Sequence, residues 1–386
     1  MSESESYCEP IDDGAAAAPA EKPRRLTSLD AFRGLTIAGM ILVNNAGGTA
    51  FPPLRHAEWD GLTPTDLVFP FFVFIVGVSI PFSFGNRRAG GSGTFGLIFR
   101  ILRRALLIFG IGILLHAFPT FDNWATIRIP GVLQRIALCY LFASILALLF
   151  GPRGLFTIAV ILLVGYASAM LYVPVPDGAT GSLERGYDLA SYIDRLLLPN
   201  HIYREDYDPE GILSTIPAIA SALFGVLAGL LLKSKRTDYE KVALLSVGAT
   251  AALLAGYFWS GGFPINKALW TPPFVLITGG FAGLLLGLFY WLIEIQGRRA
   301  WSTPLVVFGT NAIAAYVLAG LLSRVVGMIT WTVGDKTVNP RSYLVSQVFA
   351  KFAEPMEASL LWSLLFVSTC FLVILALYVK KIFIKV

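Results

Sequence analysis

His56 stands in a short polar run, Arg55-His56-Ala57-Glu58-Trp59-Asp60-Gly61-Leu62-Thr63-Pro64-Thr65-Asp66, that leads straight into an apolar stretch, Leu67 to Phe84. Imidazole is the side chain whose ordinary titration lies nearest neutral pH. With a carboxylate behind one ring nitrogen, the other nitrogen is equipped as a general base. Asp66, Glu58 and Asp60 are the carboxylates within reach along the chain. Asp66 is preferred, because Thr63-Pro64-Thr65-Asp66 reads as a helix start with Thr63 as N-cap, Pro64 at N1 and Asp66 at N3. That helix start holds the carboxylate in place. It is also a complete structural reason for Asp66, whose oxygens then serve only backbone donors. His56 has no such structural duty.

Other polar groups interrupt the apolar chain. Asn44, Asn45, Gly47 and Gly48 end the first apolar run; the glycines suit a helix C-terminus, and Asn44 can instead hydrogen-bond a reacting group. Near the start of that run Asp30 and Arg33 are three apart, a spacing that allows an ion pair on one helix face and also leaves Arg33 as a cation for phosphate. In Arg128-Ile129-Pro130-Gly131-Val132-Leu133-Gln134-Arg135 the last two residues fall inside an apolar run. A cation there needs an ionic partner or a water-filled cavity, here one shared with the His56 loop. Tyr207 to Pro217, Pro264 to Trp270 and Gly309 to Ile313 are further polar interruptions, with Asn311 near membrane depth.

These residues must be held by membrane helices. Of 386 residues 55% are hydrophobic and 14% charged, against about 25% charged in soluble domains. A span needs roughly 20 apolar residues. Ten candidates read as about 29–47, 65–84, 97–117, 130–150, 154–174, 212–232, 241–259, 272–293, 303–326 and 358–379, the ninth long and expected to break near Gly320. The expectation is an all-α polytopic bundle over 25–386, preceded by a polar tail over 1–24 that is no signal peptide. Lys and Arg clusters (Lys22, Arg24, Arg25; Arg87, Arg88, Arg100, Arg103, Arg104; Arg153; Lys233, Lys235, Arg236, Lys241; Arg298, Arg299; Lys380, Lys381, Lys385) then fall on one face, which makes that face and both termini cytoplasmic. His56, His116 and His201 fall on the other face, together with an acidic loop over about 175–211 that includes Asp177. A net charge of +5 dispersed in this way is a topology signal and not a nucleic-acid surface. Cys8, Cys139 and Cys370 lie too far apart for a disulfide framework or a metal spacing, so no metal is expected. No Asn-x-Ser/Thr sequon occurs, which favours a bacterial inner membrane.

The stretches RLTSLDAFRG, MILVN, HAEWDGLTPTDLVFPFFVFIVG, RIPGVLQR, YDPEGILSTI and INKALW together resemble the heparan-alpha-glucosaminide N-acetyltransferase family. The first is also similar to the start of a wider clan of membrane sugar O-acyltransferases. The resemblance implies acetyl transfer from cytoplasmic acetyl-CoA to an amino sugar on the far side of the membrane. It places the catalytic histidine at His56, the family's asparagine at Asn44 and its aspartate at Asp66; nothing carries over to Asn45. Arg33, Arg103 and Arg104 are then placed by topology to meet CoA phosphates, and Trp59, Glu58 and Arg135 to line the acceptor site. Asn44 would bind the developing oxyanion.

Two chemical routes fit: direct attack of the amine with His56 as base, which needs only one open site and is preferred, and prior acetylation of His56. The partners implied are acetyl-CoA, an amino sugar or glycan acceptor and the bilayer; a homodimer is compatible with this reading. O-acylation of an envelope glycan and small-solute transport are the alternative functions.

Overall fold

A backbone inside hydrocarbon has no water to bond, so it must satisfy itself as helix. The computed structural model of the chain describes residues 26–88, 94–121, 124–176 and 178–384. The tail over 1–24, with Lys22 and Arg24, lies outside these residues, as do Arg25, Asp177 and Lys385. Among the described residues there are thirteen α-helices: α1 (Thr27–Asn44), α2 (Val68–Arg88), α3 (Thr94–Ala117), α4 (Val132–Leu149), α5 (Pro152–Tyr172), α6 (Leu189–Leu197), α7 (Thr215–Lys233), α8 (Asp238–Trp259), α9 (Pro272–Tyr290), α10 (Thr303–Thr310), α11 (Ala312–Met328), α12 (Pro340–Tyr343) and α13 (Pro355–Val379). Seven of the helical segments are long and apolar enough to cross a membrane, and eight if the bent pair α10–α11 is one span. α1 and α3 occupy the other two expected positions but carry Asp30 and Arg33, and Arg100, Arg103 and Arg104.

Two departures from the sequence reading have local causes. The ninth segment breaks by 71° between Thr310 and Ala312, not at Gly320, which lies inside α11. At the break Asn311 is buried, and its side chain replaces the missing helix bonds with two to the backbone beyond α13: Nδ2 donates to the Ile382 carbonyl (3.1 Å) and Oδ1 accepts from the Ile384 N–H (2.9 Å). The all-α expectation also missed a short antiparallel hairpin, β1 (Trp331–Val333) with β2 (Lys336–Val338), turned at Gly334 with φ +60°.

The bundle is packed where glycines let backbones touch, the close approach that membrane helices favour. A Cβ on Gly77 would lie 2.0 Å from the Ala222 carbonyl, and one on Gly225 2.0 Å from the Phe74 carbonyl, so α2 and α7 cross in direct contact. α1 and α10 do the same: a Cβ on Gly34 would meet the Leu305 carbonyl at 1.7 Å and one on Gly309 the Asp30 carbonyl at 1.8 Å. The start of α1, Glu294, Gly309 and the chain beyond α13 gather at one end, tied by the Ser28 N–H to Glu294 (3.0 Å) and by the Asn311 bonds. The other end carries the polar loops.

At that second end the acidic segment expected over 175–211 is built, not slack. Asp188 caps α6 by accepting the Ser191 N–H (2.8 Å), and Asp194 accepts the Ile212 N–H (2.8 Å). Arg128 forms a fork to Asp208 through Nε (2.9 Å) and Nη2 (2.6 Å), and Nη2 also meets Glu210.

Candidate active site

The local sequence around Thr63 folds as its cap signals require. Thr63 is extended, Pro64 opens a 3-10 turn over Pro64–Leu67, and Asp66 sits at N3 in a capping box. The two readings of Asp66 turn out to use different oxygens. Oδ2 accepts the backbone N–H groups of Thr63 (3.1 Å) and Ala57 (3.1 Å), and the Thr63 hydroxyl lies at 2.9 Å. Oδ1 is left to face His56 Nδ1 at 2.6 Å. The Asp66 side chain is 1% exposed and the His56 side chain 48%. An ionised carboxylate only accepts hydrogen bonds, so Nδ1 carries the proton toward Asp66. Nε2 then presents its lone pair on the exposed side.

Lys267, which the sequence reading did not single out, completes the group. Its Nζ lies 2.9 Å from His56 Nδ1 and 3.2 Å from Asp66 Oδ1. Burial pushes the lysine ammonium down from its ordinary range, against the opposing pull of Asp66 and Glu210. The loop that carries it is bolted to the His56 loop. The Gly61 N–H donates to the Ile265 carbonyl (2.7 Å), Asp60 and Asn266 form a β-bridge, and Asn266 Nδ2 donates to Asp60 (3.0 Å). Trp270 closes the loop with φ +52°. The signal available in the sequence was Lys267 inside INKALW, a polar stretch at the mouth of an apolar run.

The remaining expected residues separate. Trp59 donates its indole N–H to the Leu183 carbonyl (2.9 Å) and packs edge-on against Tyr207, so it ties the acidic loop to the His56 loop. Glu58 is exposed. Arg135 is buried, and of the two expectations, an ionic partner or a cavity, no ion pair is found among the described residues: it donates to the Gly211 carbonyl (3.1 Å) and the Ser214 hydroxyl, and stacks at 5.0 Å over Trp270, three residues beyond Lys267. Its Nε and Nη1 have no hydrogen-bond partner among the described residues. Glu210 accepts from Arg128. A polar cavity opens among α1, α3, α4 and α11.

That cavity, about 180 Å³, is lined by Asn44, Gln134, His116, Tyr316, Ser323 and Arg324. A second of about 290 Å³ adjoins it through His116 and Arg324 and reaches Thr120, Trp124 and Arg128. Asn44 thus faces this cavity and is not hydrogen-bonded to His56. Gln134 is buried, and its Nε2 has no hydrogen-bond partner among the described residues. His116 Nδ1 is 2.7 Å from the Arg128 carbonyl and so is the protonated nitrogen.

The arginines expected at the phosphates lie toward the opposite end. Arg33 is held by Asp30 Oδ1 (2.8 Å), the Gly309 carbonyl (3.4 Å) and the Ser79 hydroxyl (2.7 Å). Arg103 is exposed, and Arg104 stacks at 4.8 Å on Tyr140 with its Nε unpartnered.

Fold and site together define a polytopic helical protein of membrane type that carries a carboxylate-oriented histidine on its polar rim. Comparison with known proteins makes this specific: residues 25–257 match the catalytic region of heparan-alpha-glucosaminide N-acetyltransferase, and the chain belongs to that family. It is 33% identical to the human heparan-alpha-glucosaminide N-acetyltransferase over 355 residues, covering 76% of this chain and 52% of that protein. It is 31% identical to the mouse heparan-alpha-glucosaminide N-acetyltransferase over 422 aligned positions, covering 94% of this chain and 60% of that protein. The chain therefore spans about half to three fifths of the length of the relatives it matches.

Proposed function

We propose that the chain is a transmembrane N-acetyltransferase that moves acetyl from cytoplasmic acetyl-CoA to the amine of an extracytoplasmic, glucosamine-type sugar. The observation that carries the reading is the His56–Asp66 pair. One carboxylate oxygen is locked by backbone donors, the other orients the imidazole, and the His56 side chain is half exposed. This is general-base geometry, in a chain whose relatives are named for acetyl transfer to a glucosaminide.

In this reading ten spans cross an inner membrane with both termini in the cytoplasm, and His56 is on the outer side. The thioester reaches the outer half of the bundle beside Asn44, whose amide stabilises the oxyanion; such a donor is typically worth about 10²–10³ in rate. Gln134 and Arg324 share that cavity and are donors for the acceptor's hydroxyls. Arg103, which is exposed, and Arg104 meet the CoA phosphates, whereas Arg33 is bound by Asp30, Ser79 and Gly309. Arg135 acts behind the site, holding Trp270 and the turn at Gly211.

The test uses purified protein in detergent with acetyl-CoA and glucosamine, following CoA release and N-acetylglucosamine formation. Product from the wild type that disappears with His56→Ala supports the reading. CoA release without N-acetyl product keeps the donor and rejects the acceptor. Absence of both acetyl-CoA turnover and acetyl-CoA binding rejects the enzyme and favours transport.

A further inference from the structure

Two groups compete for one nitrogen. Asp66 Oδ1 and Lys267 Nζ both approach His56 Nδ1, at 2.6 Å and 2.9 Å. Nδ1 can donate one hydrogen bond or accept one, never both. With Asp66 ionised, the N–H of Nδ1 belongs to the carboxylate, and Lys267 must turn its own donors to Asp66 Oδ1, 3.2 Å away. The lysine then remains beside the ring without a bond to it.

We infer that Lys267 is a positioning residue whose positive charge prevents His56 from resting as the doubly protonated ion, so that the ring passes on each proton it takes. The inference rests on the acetyl-transfer reading above. In that reaction the amine nitrogen bonds to the acetyl carbon and the carbon–sulfur bond breaks. The amine's proton moves to His56 Nε2 and from there to the leaving thiolate, giving amide and thiol. The imidazolium formed in the middle of this sequence would stand against an ammonium, with the single Asp66 Oδ1 between them. Like charges this close disfavour the doubly charged state. A histidine with Asp66 alone would instead be stabilised in that state, as carboxylate partners do, and would hold the proton that the thiolate needs.

Burial works against the lysine's charge, and two carboxylates oppose that effect. Asp66 faces it from the turn before α2, and Glu210 acts on it from the segment before α7. Glu210 is itself shared with Arg128. His56 is the cation-forming group on the facing loop, with the exposed Glu58 and Asp60 further along it. The bridge of Gly61 to Ile265 and Asp60 to Asn266 keeps the lysine from swinging away. A lysine whose only use was to tie the two loops together would add little to that bridge.

The test reads protonation directly. Carbon-13 histidine NMR on the wild type, Lys267→Met and Lys267→Arg follows the three imidazoles through pH, with the His56 signal identified by its loss in His56→Ala. In Lys267→Met the His56 midpoint should rise by on the order of one pH unit, and the acid limb of the kcat/KM profile should move the same way. Lys267→Arg, a permanent cation, should leave both near wild type. An unmoved midpoint in a folded Lys267→Met protein overturns the inference, as does a midpoint in Lys267→Arg that rises as far as in Lys267→Met. If the methionine variant does not fold, Lys267→Gln carries the same test. Because the NMR readout needs no turnover, absence of acetyl transfer by the wild type would reject the functional reading without deciding the role of Lys267.

Discussion

The two ends of the bundle each hold an aspartate paired with a basic side chain, and the two pairs are built differently. At the end that gathers the start of α1, Asp30 pairs with Arg33 one turn away, and the guanidinium goes on to the Ser79 hydroxyl on α2 and the Gly309 carbonyl on α10. Its donors join three helices. At the end that carries the polar loops, Asp66 is consumed by the backbone on one side only, and the His56 side chain stays half exposed. Closure marks an ion pair that holds helices together; a deliberately open side marks one that can meet a substrate. Charge and burial alone would have ranked the two alike.

The sharpest way to break this contrast is to remove the open side. His56→Ala should lower acetyl transfer by about 10²–10⁴, the range of a lost general base, with the melting temperature in detergent little changed because the imidazole is half exposed. Asp66→Asn should follow, with kcat reduced by on the order of 10² as the ring loses its orienting partner, and with some loss of melting temperature, since the same residue caps the turn. The Arg33 end should respond in the reverse order. Arg33→Met should lower the melting temperature clearly while KM for acetyl-CoA changes less than about threefold, and Arg103→Met or Arg104→Met should raise that KM more. A large KM effect at Arg33 would mean that its bonds exchange protein for phosphate. Gly34→Ala should destabilise without touching chemistry: its Cβ would sit on the Leu305 carbonyl, and overpacking of this kind costs about 1–3 kcal/mol.

The smallest expected effect concerns the acidic loop. Burial pushes the Asp194 carboxyl up to about 7. A carboxyl raised in the folded state contributes stability that is fully present below its unfolded value and is lost as pH rises through the folded one. Thermal stability should therefore fall between about pH 4 and about pH 7. Asp194→Asn should flatten that slope, measured as the difference between the two melting curves across pH.

Much of this architecture was legible in the sequence because membrane helices announce themselves by length. The pairing of His56 with Asp66 was legible for a different reason: both lie in one loop, and cap chemistry around Thr63 fixes where the aspartate must be. Lys267 was hidden because its partner is in another loop, and nothing local distinguishes a lysine before an apolar run from a topology signal. The break at Asn311 was hidden in the same way. Its cause is the backbone at Ile382 and Ile384, which no reading of residues 303–326 contains. The cavity beside Asn44 depends on the meeting of α1, α3, α4 and α11, again a matter of tertiary contact.

The bridge between the His56 loop and the Lys267 loop also has a consequence in time. Asp60 and Asn266 are 206 residues apart, and synthesis delivers them in that order. A nascent chain inserts His56 and Asp66 early and must then thread the segments through α8 before their third member exists. Until residue 267 is made, the bundle holds the histidine and its aspartate without the third member of the group. Any premature stop before residue 267 would leave helices that can lodge in the bilayer but a histidine without its lysine.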